Sequence, residues 1–168
     1  RGKPVVTDWP GDDGQLALVA AAELGSAHPI AQAIVAMARG RKMALPRVDS
    51  FEALAGLGVR ATVAGKEVLV GTRGLMRREG IDSSAEEDVL ERLEQAGRTA
   101  MLVAVAGRMV GVIAVADVLK QESPAAVARL KALGLEVIML TGDNVRTARA
   151  IADEAGIERV VAEVLPEH

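Results

Sequence analysis

The sequence predicts an α/β chain in two parts: an antiparallel sheet with helices packed on it, then a segment with the alternation of a parallel α/β sheet. Three observations carry this. Between Val48 and Ala116, short β-like runs are separated by glycine turns. Before them, an Ala-rich stretch stops at Gly25 and restarts at Pro29, which reads as two successive helices. After Ser123, helix, strand, helix and strand follow one another with short connections. The chain has 168 residues, half of them apolar, enough for one good core or two small domains.

The first helix is expected over residues 12–24, capped by Asp12 or Asp13 and ended by Gly25. The second runs from Pro29 to Arg39, because proline suits a first helical position where its missing N–H would be unpaired anyway. Arg39, Arg41 and Lys42 lie near its end, where cations complement the helix dipole. Strands are predicted over Val48–Ala53, Val59–Val63 and Glu67–Val70, the last two joined at Ala64-Gly65. A short helical piece surrounds Leu75, and Ser84 with Glu87 reads as a capping box opening a helix that Gly97 closes. Two apolar strands follow, Ala100–Ala106 and Met109–Ala116. Beyond a boundary near Ala114–Asp117, a helix from Ser123 to Gly134 precedes a buried strand at Val137–Leu140. A helix at Val145–Ala155 then leads to a strand at Val160–Ala162.

Composition excludes several function classes. With 20 basic and 23 acidic residues well mixed and a net charge of −3, there is no basic footprint for nucleic acid. No cysteine is present and the two histidines lie far apart, so neither a disulfide framework nor a soft-metal site is expected. No run reaches about 18 apolar residues, so no membrane span is expected, and the N-terminus does not resemble a signal peptide. The chain reads as a piece of something larger. Trp9 and Phe51 are its aromatic residues, so a purine pocket would have to be built from aliphatic groups, backbone and imidazole.

Several short patterns could carry chemistry. In Ser26-Ala27-His28-Pro29 the imidazole sits at a helix N-terminus, which attracts phosphates; it could meet a purine, or simply cap the helix. Glu23 ends the preceding helix, where a carboxylate opposes the dipole. It could accept the exocyclic amine of adenine, or be an ordinary surface glutamate. Gly56-Leu57-Gly58 permits close backbone approach of a ligand, or makes an ordinary turn. In Gly71-Thr72-Arg73 the hydroxyl could bind a ligand and Arg73 could approach phosphates; alternatively Thr72 caps the next helix. Thr141-Gly142-Asp143 follows a strand and precedes a helix, the place where open α/β folds bind ligands, and its hydroxyl and carboxylate suit phosphate and Mg²⁺ chemistry.

Taken together, these elements resemble the heavy-metal-transporting P-type ATPases, copper pumps above all. The order is Glu23, Ser26–Pro29, Gly56–Gly58, Val70–Arg73, Gly97–Ala100, Ala116–Lys120, Met139–Asn144 and Ala162–Glu167. The resemblance implies a six-stranded antiparallel nucleotide domain flanked by helical hairpins, followed by a partial parallel haloacid-dehalogenase-like segment. It places the end of a first phosphorylation-domain segment at residues 1–7, the nucleotide domain at 8–115 and a partial phosphorylation domain at 116–168. It implies ATP and Mg²⁺ as cofactors, nucleotide contacts from Glu23, His28, Gly56, Gly58 and Thr72, and an incomplete phosphoryl-transfer site at Thr141, Gly142 and Asp143. Thr72 stands where the family often has asparagine, and Ala27 where copper pumps often have glutamate.

The phosphorylated aspartate would lie just before Arg1, and a lysine and a Mg²⁺-binding element beyond His168. The chain is therefore expected to bind ATP, roughly in the submillimolar to millimolar range given so few aromatics, without turnover. Its expected partners are the actuator, phosphorylation and transmembrane parts of the pump, and its expected place is the cytoplasmic side of an integral membrane protein. Three alternatives stand beside this one: a zinc or cadmium pump, a haloacid-dehalogenase-like phosphatase, and a non-catalytic nucleotide-binding module.

Overall fold

Asp12 is the residue that starts the first helix. Its carboxylate accepts from Gln15 N at 2.7 Å while the Gln15 side chain accepts from Asp12 N, a reciprocal capping box that opens α1 (Asp13–Ala22). A single 3₁₀ turn, Glu23–Gly25, reverses the chain into α2 (Pro29–Gly40). The computed structural model describes residues 4–116 and 123–164.

The strands form one antiparallel sheet of six, in the order β1-β6-β5-β4-β3-β2. Its members are β1 (Val5–Asp8), β2 (Val48–Leu54), β3 (Gly58–Val63), β4 (Lys66–Gly71), β5 (Thr99–Val105) and β6 (Arg108–Ala116). The six-stranded antiparallel sheet implied by the resemblance is thus present. No local pattern predicts β1: it is four residues long and pairs Val5 with Ala116 and Val6 with Val115, across most of the chain.

Helices cover both faces of this sheet, and side-chain alternation divides the core accordingly. On one face Leu16, Val19 and Ile34 of α1 and α2 meet Val68, Val70, Val103, Ile113 and Val115. On the other, Leu69, Leu102, Ala104, Val112 and Ala114 meet Leu75 and Met76 of α3 (Arg73–Arg78) and Leu90 and Leu93 of α4 (Glu87–Gln95). Both covers are needed to account for the unbroken apolar run in β6.

Ser84 and Glu87 do not form the expected capping box. Ser84–Glu86 is a 3₁₀ turn without a side-chain cap, and Ser84 N donates instead to Asp82 Oδ1 at 2.9 Å. The local Asp82 carboxylate takes the donor that the box would have used.

The second segment holds α5 (Ser123–Ala132), β7 (Ile138–Leu140), α6 (Val145–Ala155) and β8 (Arg159–Val161), with β7 and β8 parallel. The helix–strand alternation holds, but the burial expected of β7 does not: Leu140 is 65% exposed and Ile138 46%. Alternation sends Met139 toward a small cluster with Ala152, Ala155 and Ile157, while among the described residues nothing covers the opposite face. Of the predicted Ala116–Lys120 and Ala162–Glu167 motifs, residues 117–120 and 165–167 lie outside the described ones. Among the described residues, no helix is long and apolar enough to cross a membrane.

Candidate functional site

A cavity of about 650 Å³ opens where four connections meet: the turn between α1 and α2, the β2–β3 turn, the β4–α3 junction and the loop after β7. It gathers Glu23, His28, Gly56, Gly58 and Thr72, with Gly142 and Asp143 on the same wall system. Its apolar lining is Ile30, Ala31, Leu54, Leu57, Val59 and the β5 residues Ala100–Leu102. Neither Trp9 nor Phe51 lines it, as composition required of a purine pocket.

Glu23 is not a surface glutamate. It is 3% exposed and has no side-chain hydrogen-bond or ion-pair partner among the described residues. Its position follows from α1, whose last turn, Val19–Ala22, is buried all round and carries the C-cap residue into the core with it. Burial pushes its carboxyl up to about 7, because the charged form loses its hydration with nothing to replace it. An unpartnered carboxyl at a cavity wall is an acceptor, and when protonated also a donor.

His28 both caps a helix and lines the cavity. Its Nδ1 accepts from Ile30 N at 3.3 Å at the start of α2. That bond assigns the proton of the neutral ring to Nε2, which remains as a free donor. The two readings of this residue in the sequence are therefore compatible.

Gly56 and Gly58 differ. Gly56 has φ +71° and open space where a side chain would begin. Gly58, at φ +136°, pairs with Gly71 across β3 and β4, and a Cβ there would run into the carbonyl of Val70 and Cα of Gly71. Gly58 is thus required by strand pairing whatever it does for a ligand. Thr72 likewise has two contacts: it lines the cavity and its Oγ1 accepts from Leu75 N at 3.4 Å to cap α3.

In the second segment Thr141 does not line the cavity. Its hydroxyl donates to Asp143 Oδ2 at 2.8 Å and accepts from Asp143 N at 3.1 Å, which holds the loop while Gly142, Asp143 and Asn144 face the cavity. Asn144 also caps α6 through Thr147 N at 3.0 Å.

Sequence reasoning missed Ser26, Glu94 and Asn144 as lining residues and weighed Arg73 without assigning it a site. Arg73 bonds Glu87 at 2.9 Å and Glu94 at 2.8 Å. Hydrogen bonds to Glu87, then to Glu94, hold its guanidinium above its ordinary range, and the same contact holds Glu87 below the usual carboxylate range. No local signal singled out Glu94 from the other glutamates of α4, Glu87 and Glu91.

Haloacid dehalogenase-like hydrolases provide the family model that matches residues 1–168. The chain belongs to that family. For a haloacid dehalogenase-like chain, the Thr141–Asp143 loop at the carboxyl end of β7 stands at the place where open α/β sheets bind ligands. The chain is 48% identical to a copper-exporting P-type ATPase of Bacillus subtilis, strain 168, over 99% of its own length. It is 46% identical to one of Staphylococcus saprophyticus over 99% of its length. It spans 21% of the length of each. Among solved structures, it is similar to a zinc-transporting PIB-type ATPase in its E2.Pi state, at 38% identity and a TM-score of 0.73, covering 96% of this chain and 27% of that one. The resemblance to heavy-metal-transporting P-type ATPases drawn from the motifs agrees with these similarities.

Proposed function

We propose that this chain binds an adenine nucleotide in the 650 Å³ cavity and serves as the nucleotide-binding part of a copper-exporting P-type ATPase. The observation that carries the proposal is the convergence of an unpartnered buried Glu23, a helix-capping His28 and the Gly56–Gly58 backbone on one aliphatic cavity. Copper is preferred to zinc because the copper-exporting relatives are 46–48% identical and the zinc-transporting structure 38%.

In this reading the purine lies among Ile30, Ala31 and Leu57, with its polar edge toward Glu23 and the imidazole of His28. Its phosphates extend toward Thr72, Arg73 and the Gly142–Asn144 loop. Binding energy comes from aliphatic burial and a few directed hydrogen bonds. Among the described residues no three His, Cys, Asp or Glu side chains converge into an all-protein metal cage, so Mg²⁺ would be held mainly by nucleotide phosphates and water. An Asp-Lys-Thr-Gly-Thr motif does not occur in the 168 residues, so binding without turnover is expected of this chain. We place the nucleotide unit at residues 8–115 as the resemblance implies, widened to Val5–Ala116 so that β1 stays with its sheet, the phosphorylation segment in the residues that follow to 168, and both on the cytoplasmic side of the parent pump.

Calorimetric titration with ATP tests this. The His28→Ala variant should weaken ATP about three- to tenfold, and His28→Asn, which restores a good helix cap without the imidazole, should weaken it as much. If His28→Asn binds as wild type, the residue is a cap and the site lies elsewhere. Hydrolysis of a simple phosphate ester by this chain would favour a phosphatase instead.

A further inference from the structure

The cavity has an electrostatic difficulty as a nucleotide site. Glu23, Glu94 and Asp143 line it, and among its described lining residues Arg73 is the one Lys or Arg. Arg73 is already committed to two carboxylates, Glu87 and Glu94. Its Nη2 is buried 2.7 Å from a Glu87 oxygen, so the guanidinium must turn before it can meet an incoming anion.

For Arg73 to turn toward phosphate, Glu94 must remain neutralised. Its side chain is 9% exposed, and a buried carboxylate stripped of its partner is strongly destabilising. A second guanidinium meets that need. Arg146, on α6, donates from Nη1 to Glu94 Oε2 at 3.2 Å, while Arg73 occupies Oε1 at 2.8 Å. Each carboxylate oxygen thus serves one arginine, one from each part of the chain. The next residue of α6, fully buried Thr147, donates to the carbonyl of Arg98 at 3.1 Å and ties the same turn to the connection between α4 and β5. Arg146 itself does not line the cavity.

We propose that Glu94 is an exchangeable counter-ion: as nucleotide phosphates draw Arg73 away, Arg146 keeps Glu94 neutralised, so that phosphate binding and the docking of α6 against α4 reinforce each other. This rests on the adenine-nucleotide reading of the cavity and adds Arg73 to it as the phosphate-contacting cation. Glu94 and Arg146 are positioning residues, acting on phosphate through Arg73. Coupling of this kind is reciprocal: whatever docking does for phosphate affinity, phosphate does for docking.

The test compares ATP with adenosine on the 168-residue chain, without divalent cation, by calorimetry. The ratio of the two affinities isolates the phosphates. Arg146→Ala should leave adenosine affinity unchanged and weaken ATP about five- to tenfold, since Glu94 then holds Arg73 alone. Arg146→Lys should recover at least half of the loss. Glu94→Gln should move the ratio the other way, because Arg73 is released. In the double variant Arg146→Ala should have no further effect, since its role runs through Glu94. A purely structural contact would lower both affinities together. Ratios that stay constant, or that fall in both single variants, overturn the inference while leaving the nucleotide reading in place. A wild-type chain that binds neither compound overturns both.

Discussion

The six-stranded sheet and the β7–β8 pair draw on the same aliphatic residue types but differ in what covers them. In β6, Val112 to Val115 are essentially inaccessible because α1–α2 lie on one face and α3–α4 on the other. In the second segment Leu133, Leu135, Ile138, Leu140 and Val145 all remain exposed. Its fully buried contacts come from small residues of α6, such as Ala148 and Ala152. An apolar run therefore specifies a strand, but only a second covering layer makes it a core. The second segment is held to the first by polar contacts at α6, the Glu94–Arg146 ion pair and the Thr147 hydrogen bond.

The comparison can be broken most directly with paired truncations. Leu75→Ala should cost about 2–5 kcal/mol in denaturant unfolding, because Leu75 is fully buried between α3 and the sheet. Leu140→Ser should stay within about 0.5 kcal/mol, since most of its side chain is already in water. Similar losses at the two positions would mean that β7 is covered in solution.

A second substitution separates pairing from binding within the sheet. Gly58→Val is expected to destabilise by about 3 kcal/mol, through positive φ and the collision with β4, and to lose nucleotide affinity with it. Retained stability with lost ATP binding would move Gly58 from strand pairing to ligand contact.

The pH dependence sharpens the contrast further, because Glu23 belongs to the first unit alone. Its carboxyl is raised from 4.5 to about 7 by burial, so the folded state holds the proton more tightly than the unfolded chain. That contribution is complete below pH 4.5 and is lost as pH rises to about 7, with no further change above. The difference between wild type and Glu23→Gln should therefore drift by roughly 2–3 kcal/mol against wild type across this interval, measured by denaturation at each pH. A flat difference would show that Glu23 has a partner or water that keeps it ionised.

Much of this was legible in advance. The helix at Pro29, the Ala64-Gly65 and β5–β6 hairpins and the helix opening at Asn144 follow from residues close together in the chain. The glutamate, histidine and glycine motifs that line the cavity were also visible, since each carries a distinct residue type at a turn. The misses have separate causes. Strand β1 pairs with a partner over a hundred residues away. Ser84 and Glu87 satisfied a capping pattern whose donor another local carboxylate takes. Glu94 sat in a charged helix where one glutamate looks like the next.

By itself the sequence determined where most of the helices and strands lie, that the sheet would be antiparallel, and that any purine site would be aliphatic. Those are matters of dihedral preference, apolar period and composition, all of them local. Only the tertiary structure decided that Glu23 is buried and one face of β7 bare, neither having a partner among the described residues, and that Arg73 and Arg146 share a single carboxylate. Burial and charge pairing depend on which distant segments come to lie against a residue, and no short stretch of chain carries that information.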